Sequence, residues 1–403
     1  MFKKITRRNF IWFSLGFVAA VGTTKVTLNY HSKQKILALD NPTKDFTVIG
    51  TSSLKERAAA KGLMYGTAIR NHHLWEDSKL AETLVKECQI LVPEWALKWY
   101  IPNPALRPEP NIFDFSEVDK ILAFAQNKGL QLRGHTLVWH ESLPPWFQDT
   151  VNSNNAQQIL EQHINTVVGR YAGKMHSWDV VNEAINEGYL LVREQKNNIP
   201  NNLKNNLRKT PWLELLGDNY IDKAFRLTHQ ADPTATLVYN DYGLDYDTDA
   251  DEAKRNAVLN LLENLKSKGT PIHALGIQAH LDASETNFNP DKLRSFLRDV
   301  ASLGLKIMIT ELDVTDEKLP SDIEMRDRII AKTYEDYLST VLSEPAVTTV
   351  ITWGISDKYS WLSDFKPRPD KAAVRPLPFD ANMNRKLGWN AIARAFDNAR
   401  LRS

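Results

Sequence analysis

From about Gly62 onward the chain alternates two textures. Short runs rich in β-branched and aromatic residues give way to longer stretches whose apolar positions recur every three or four residues. The runs predict strands at Leu63–Ala68, Gln89–Pro93, Leu130–Val138, Met175–Val181, Thr236–Asn240, Ala274–Gln278, Lys306–Thr310 and Thr348–Trp353. The stretches predict helices near 76–88, 116–128, 155–171, 218–231, 250–268, 290–303, 322–343 and 388–400. In the first of these, Leu80, Leu84, Val85 and Cys88 share one face. Asn289-Pro290 supplies an N-cap followed by proline at the first helical position, and Gly269 stops the helix that ends at Lys268. Strands alternating with helices require a parallel sheet. Eight of each predict an α/β fold closed as a single (β/α)8 TIM barrel. An open doubly wound sheet is the alternative. No glycine-rich phosphate loop follows the first strand, at Ala68-Ile69-Arg70-Asn71, which weighs against a nucleotide-binding version of it. No repeat at solenoid or propeller periods is present.

Two of the strands end abruptly in glutamate: Trp178-Asp179-Val180-Val181-Asn182-Glu183 and Ile307-Met308-Ile309-Thr310-Glu311-Leu312-Asp313. A carboxylate at the end of a buried strand is held rigidly and faces whatever lies beyond the sheet. Two of them on one sheet are the minimum equipment for cleaving a glycosidic bond, one protonating the leaving oxygen and the other attacking the sugar carbon. They are far apart in sequence, so the fold must bring them together.

The residues at the carboxyl ends of barrel strands build the active site of such a fold. Here they are Glu94, His135, Trp139, His140, Asn182, Glu183, Asn240, Asp241, Gln278, His280, Glu311, Asp313, Trp353 and Trp361. They are carboxylates, amides, imidazoles and indoles, with no cysteine and no serine in a nucleophile-elbow context. This is hydroxyl-binding chemistry framed by aromatic platforms. No His-x-His ends the first strand and no His-Glu-x-x-His occurs, so neither a metal nor a cofactor is expected. Histidines beside carboxylates instead tune protonation and hold orientation.

Charge changes the picture only by exclusion. Lys plus Arg number 50 and Asp plus Glu 49, a balance that gives no support to nucleic-acid binding and suits a neutral polymer. The 11 Trp, 12 Tyr and 15 Phe supply flat faces that stack on sugar rings, although most such residues in any protein fill its core. One cysteine, Cys88, precludes an internal disulfide, and its amphipathic setting predicts a buried small hydrophobe.

The first thirty residues read as an address. Lys3, Lys4, Arg7 and Arg8 form a basic start, and Phe10 to Val21 is an apolar run of signal-peptide length, well short of the ~20 residues of a membrane span. Thr6-Arg7-Arg8-Asn9-Phe10-Ile11 resembles a twin-arginine export signal. Residues 1–30 are therefore expected to be an export signal or an N-terminal anchor, 31–60 a tether and 61–403 the catalytic barrel. Export to the periplasm or exterior is expected, with membrane tethering if the leader is retained. Residues 197–210, rich in Asn and Lys, interrupt the rhythm after the strand that ends at Glu183. They are either a solvated insertion or a wall on the leaving-group side of a cleft.

Five ordered strings carry a resemblance: Gly134-His135-Thr136-Leu137-Val138-Trp139-His140, Trp178 through Glu183, Gln278-Ala279-His280-Leu281, Thr310-Glu311-Leu312-Asp313 and Trp353-Gly354-Ile355-Ser356-Asp357. Together, from about Gly62 to the C-terminus, the chain resembles the endo-β-1,4-xylanases of glycoside hydrolase family 10. That resemblance implies a (β/α)8 barrel hydrolysing xylan or xylo-oligosaccharides with retention, with Glu183 as acid/base and Glu311 as nucleophile. It further implies that Asn182 grips the 2-hydroxyl at the cleavage point. Gln278 and His280 would flank Glu311, with Asp313 orienting His280. Lys98, His135 and Trp139 would line the non-reducing side, with Glu94 also binding substrate and His140 in support, and Trp353 and Trp361 would form floor and wall. Asn240 and Tyr242 would lie near the cleavage point and the leaving-group side. A monomer is the expected state.

Two departures stand out. Pro93-Glu94-Trp95-Ala96-Leu97-Lys98 carries Trp95 where the family usually has a sugar-binding asparagine, and Ser142 stands where a glutamine is common. By resemblance both positions serve the sugar two units before the cut. Losing two amide partners, each contributing roughly 0.5–1.5 kcal/mol, is expected to weaken that subsite unless Trp95 stacks on the ring. The rival readings are the same fold on another β-1,4 glycan, a transglycosylase, or a carbohydrate-binding protein without turnover.

Overall fold

The computed structural model describes residues 34–402 apart from 103 and 198–202. The chain divides after Asn41 into two compact units. Of the first, 34–41 are described, with a helical turn over 34–37. The basic-apolar leader lies outside the described residues, as does part of the Asn-rich insertion. The barrel and its site belong to the unit from Pro42 onward.

The centre of this unit is a closed parallel barrel. The strands are β1 (Met64–Ile69), β2 (Ile90–Pro93), β3 (Gln131–Gly134), β4 (Ser177–Asn182), β5 (Thr236–Asp241), β6 (Ala274–Ile277), β7 (His280–Asp282), β8 (Lys306–Thr315) and β9 (Val347–Thr352). Neighbours pair from β1 through β6 in sequence order, β9 pairs with both β1 and β8, and β6 pairs with β8 to close the ring. Eight strands thus form the barrel. β7 is an extra piece that pairs His280 with Asp313 beyond the closure. Strand residues are buried almost throughout, as expected where helices cover one face and packed side chains fill the other.

The expected strands are present, with altered ends. β3 stops at Gly134 rather than Val138, because the chain after His135 leaves the ladder and Val138 touches β4 only through a single bridge to Val181. β8 runs on to Thr315, where β7 offers it a partner. The first expected helix is present as Ser78–Glu87, capped by the Asp77 side chain accepting from the Leu80 amide, and an additional short helix, Asn71–Glu76, precedes it. The Asn289 cap is formed, its side chain accepting from the Asp291 and Lys292 amides, and Gly269 adopts the left-handed backbone (φ 64°) expected after a helix end.

The segment expected to be a tether is ordered from Pro42, and its end forms the helix Leu54–Ala59 with a Ser53/Glu56 capping box. Leu54 and Ala58 are fully buried. Glu87 ties this helix to the last one, Leu387–Asn398: its carboxylate accepts from the Leu54 amide at 2.9 Å and from Trp389 Nε1 at 3.1 Å. The covering of the barrel therefore begins ahead of position 61. Cys88 is buried, and burial raises its thiol pKa.

Packing inside the barrel sets the floor of the site. Ala68, Ile90, Val92, Ile351 and Trp353 form one buried cluster, with Met64 and Trp361 packed against it. Each fully buried aliphatic side chain contributes roughly 1.5–3 kcal/mol, so the floor is anchored by the core itself. Gly134 on β3 leaves the space that the Trp178 ring fills; a Cβ there would stand 2.0 Å from Trp178 Cε3. No helix among the described residues is long and apolar enough to cross a membrane.

Candidate active site

Glu183 follows the last residue of β4 and is half-buried. Its backbone is left-handed (φ 57°), a conformation that costs a non-glycine residue about 1–3 kcal/mol and persists only where surroundings enforce it. One enforcing contact is its amide donating to the Asn240 carbonyl at 2.9 Å. The carboxylate accepts from Trp139 Nε1 (3.0 Å), Gln278 Nε2 (2.9 Å) and Asn182 Nδ2 (3.2 Å). Burial raises its pKa, helped by the charges of Asp241 and Glu311, and the donors from Gln278 and Trp139 only partly offset this.

Glu311 lies inside β8 and is 5% exposed. Asn240 Nδ2 donates to its Oε1 at 2.7 Å, and His280 Nε2 lies 3.4 Å from its Oε2. His135 Nδ1 stands 4.0 Å away. Burial alone would raise this carboxyl, but the hydrogen bond from His280, the charges of His135 and His280, and the Asn240 amide outweigh it and hold the pKa at about 2. The two glutamates are thus pushed apart, one toward keeping its proton and one toward losing it.

Amides join them. Asn240 Nδ2 also donates to Asn182 Oδ1 at 2.9 Å, so a single side chain spans Asn182 and Glu311. Thr310 Oγ1 donates to Asn240 Oδ1 at 2.6 Å and fixes which end of the amide faces the carboxylate. Gly276 on β6 makes room for it, since a Cβ there would stand 2.3 Å from Asn240 Oδ1. His280 is held in turn: its Nδ1 meets Asp313 Oδ1 at 2.9 Å, and Trp361 Nε1 donates to Asp313 Oδ2 at 2.7 Å. Burial would lower the His280 pKa, but Asp313 and Glu311 raise it to about 10. Beneath, Asp179 accepts from Arg133 and meets His135 Nδ1 at 3.0 Å.

The outer members surround this centre. The Trp353 ring packs edge-on 5.1 Å from His135 and 6.5 Å from His280. The Lys98 ammonium stands 4.9 Å over the Trp139 ring; burial lowers its pKa against the raising charges of Glu94, Glu311 and Glu183. Glu94 is buried and accepts on one oxygen from Arg70. Among the described residues, no group of three or more His, Cys, Asp or Glu side chains is placed to hold a metal ion.

The model of glycosyl hydrolase family 10 matches residues 53–395. The chain belongs to glycosyl hydrolase family 10. A Beta-1,4-xylanase of Dictyoglomus thermophilum is 33% identical over 339 residues, covering 81% of this chain and 87% of that protein. Endo-1,4-beta-xylanase B of Paenibacillus barcinonensis is 35% identical over 302 residues, 71% of this chain and 84% of the relative. The crystal structure of native xylanase 10B from Thermotoga maritima superposes with a TM-score of 0.74 at 33% identity, covering 86% of this chain and 98% of that one. Xylanase 10B from Thermotoga petrophila RKU-1, solved in complex with xylobiose, gives 0.75 at 33% identity, covering 87% and 99%.

In this family 10 barrel, sequence reasoning missed a second group beside Glu183. Arg208 donates from Nε to the Glu183 carbonyl at 3.0 Å, from Nη1 to Glu187 at 3.1 Å and from Nη2 to the Tyr242 hydroxyl at 2.8 Å. The Tyr242 hydroxyl donates to Glu187 as well. Lys254 stands 3.5 Å over the Tyr242 ring and 2.8 Å from Asp241. Arg208 comes from the end of the Asn-rich insertion, which returns to the site by bridging Leu207 to Ile185. That segment therefore reaches the strand end that carries Glu183. His140 packs beside Trp139, and burial, aided by the Arg208 charge, lowers its pKa to about 4. A lone arginine in a polar run carries no signal of such a role. Asp179, by contrast, sat within the Trp178–Glu183 string.

Proposed function

We propose that this protein is an endo-1,4-β-xylanase that cleaves internal xylosidic bonds of xylan with retention of configuration. The observation that carries the reading is the opposite environments of two carboxylates joined by one amide layer. Glu311, buried and ionised, attacks the anomeric carbon. Glu183, with its proton held up by burial, protonates the departing oxygen. The glycosyl–Glu311 ester is then hydrolysed by a water that Glu183, now ionised, deprotonates. Each step balances on the two side chains and water, so the chemistry asks for no metal or cofactor. Asn182, gripped between Glu183 and Asn240, is positioned to bind a hydroxyl of the sugar at the cut, where binding that tightens in the transition state lowers the barrier. Relatives named as xylanases support the choice of polymer.

Glu311→Gln is expected to abolish release of reducing sugar from xylan while leaving xylo-oligosaccharide binding measurable by calorimetry. Turnover at the original rate contradicts the assignment. We also infer that the basic-apolar leader, residues 1–30, directs export of the enzyme, tethering it to the membrane if retained, and that the enzyme is a monomer. Fractionation of cells expressing the full chain, before and after Arg7 and Arg8 are changed to Lys, tests export, and light scattering tests the oligomeric state.

A further inference from the structure

Lys254 lies early in the helix Asp249–Ser267 and is 1% exposed. The fold brings this helix against the carboxyl end of the barrel. Gly188, the residue after Glu187, leaves room for it, since a Cβ there would stand 2.2 Å from the Ala250 carbonyl oxygen. Arg255 fixes its first turns by donating from Nη1 to the Leu244 and Tyr246 carbonyls at 3.1 and 2.7 Å. The Lys254 ammonium is thereby set 2.8 Å from Asp241 Oδ1 and 3.5 Å over the Tyr242 ring. Among the described residues it makes no hydrogen bond of ordinary geometry. Taking an ammonium out of water is costly, and a fold tolerates one so sparsely partnered only where its charge offsets another.

Both of its partners adjoin the acid/base. Asp241 follows Asn240, whose carbonyl receives the Glu183 amide at 2.9 Å, and the Asp241 charge helps Glu183 keep its proton. The Tyr242 hydroxyl donates to Glu187 and accepts from Arg208 at 2.8 Å, and Arg208 reaches on to the Glu183 carbonyl at 3.0 Å. The Lys254 charge also favours the ionised form of Glu187. On this side of Glu183 two cations, Lys254 and Arg208, thus stand against two carboxylates, Asp241 and Glu187. The other charged neighbours are Glu311 on β8 and Lys98 after β2. Gln278 and Trp139 are neutral donors, and burial keeps His140 uncharged at neutral pH. We propose that Lys254 is a positioning residue for the acid/base Glu183, acting through Asp241 and Tyr242 from outside the substrate cleft. Its charge balances Asp241, and its seat on the Tyr242 ring holds the hydroxyl that Arg208 grips. The inference rests on the acid/base role given to Glu183 above and adds the residue that governs its alkaline limit.

The test is the pH profile of kcat/KM on xylohexaose, whose alkaline limb reports the proton on Glu183 in the free enzyme. Lys254→Met removes a cation near that carboxyl and is expected to move the limb up by about half a pH unit or more. Asp241→Asn removes an anion and is expected to move it down by a similar amount. The double variant, again balanced, is expected to return the limb to within about 0.2 unit of the wild type. The acid limb, set by Glu311, is expected to stay in place in all three. Opposite shifts that cancel follow from charge, whereas general loosening of the site lowers the whole profile and leaves the limbs where they were. If one single variant does not fold, the other and the double carry the test, through a shift in the first and its return in the second. Unmoved limbs in the folded variants, or two single-variant shifts of the same sign, overturn the inference and leave the xylanase reading intact. Failure of the wild-type enzyme to cleave xylohexaose overturns the xylanase reading, and this inference with it.

Discussion

His280→Asn removes the one side chain that both donates to Glu311 and places charge beside it. In the wild-type protein Glu311 is held at about 2 against an ordinary 4.5, although burial opposes ionisation. At about 1.36 kcal/mol per pH unit, that gap represents roughly 3 kcal/mol of net preference for the carboxylate. His280 supplies two of the four influences that produce it, so its loss is expected to raise the acid limb of kcat/KM by about one pH unit or more. The assay is kcat/KM from pH 2 to 8 on an aryl xylobioside, whose limbs report the free enzyme. Stability moves with the same pair. Glu311 is depressed in the fold, so its contribution is complete above its ordinary 4.5 and is lost as pH falls toward 2. His280 is raised, so its contribution is complete below its ordinary 6.5 and is lost as pH climbs toward 10. Both are in force between about 4.5 and 6.5, and the wild-type Tm is expected to peak there, with a flatter profile in the variant. A uniform loss of activity with an unmoved acid limb would refute the role given to His280.

Arg208→Lys keeps charge but loses the three-way fork. It is expected to lower kcat/KM on xylan about tenfold and to spare kcat/KM on an aryl glycoside whose leaving group needs no proton, since that parameter reports the glycosylation step alone, a split that general loosening of the fold would not give. Gly276→Ala drives a Cβ toward Asn240 Oδ1; chemical denaturation is expected to show a loss of about 1–3 kcal/mol, and kcat/KM a fall of about tenfold or more. Asn182→Ala is expected to reduce kcat far more than it raises KM, because the contact it removes tightens in the transition state; the reverse pattern would assign it to ground-state binding.

The barrel was legible because its strands are buried on both faces and its helices on one, which writes two different periods into the chain. The catalytic strands were the clearest of all, since burying a carboxylate at the end of an apolar run is costly and a fold keeps it only where the charge has work to do. Strand ends were less visible. β8 continues to Thr315 because β7 comes alongside, and nothing local to Leu312–Thr315 announces a partner supplied from His280–Asp282. The start of the first expected helix was visible in principle, since Asp77 is a capping residue one position inside the expected range. Arg208 was not, because its role depends on an antiparallel return of the insertion that bridges Leu207 to Ile185, a pairing that no local pattern announces. The opposed pKa values of Glu183 and Glu311 likewise arise from residues on β5, β8 and the chain after β3 and β6, which only closure brings together.

In the proposed mechanism Glu311 forms a covalent bond to sugar while Glu183 manages the proton. Incubation with a 2-deoxy-2-fluoro-xylobioside bearing an activated leaving group slows breakdown of the glycosyl-enzyme, and peptide mapping by mass spectrometry then locates the label. The label is expected on Glu311, with one sugar per chain and activity lost in parallel. A label on Glu183, or inactivation-free turnover with inverted product configuration, would contradict the account.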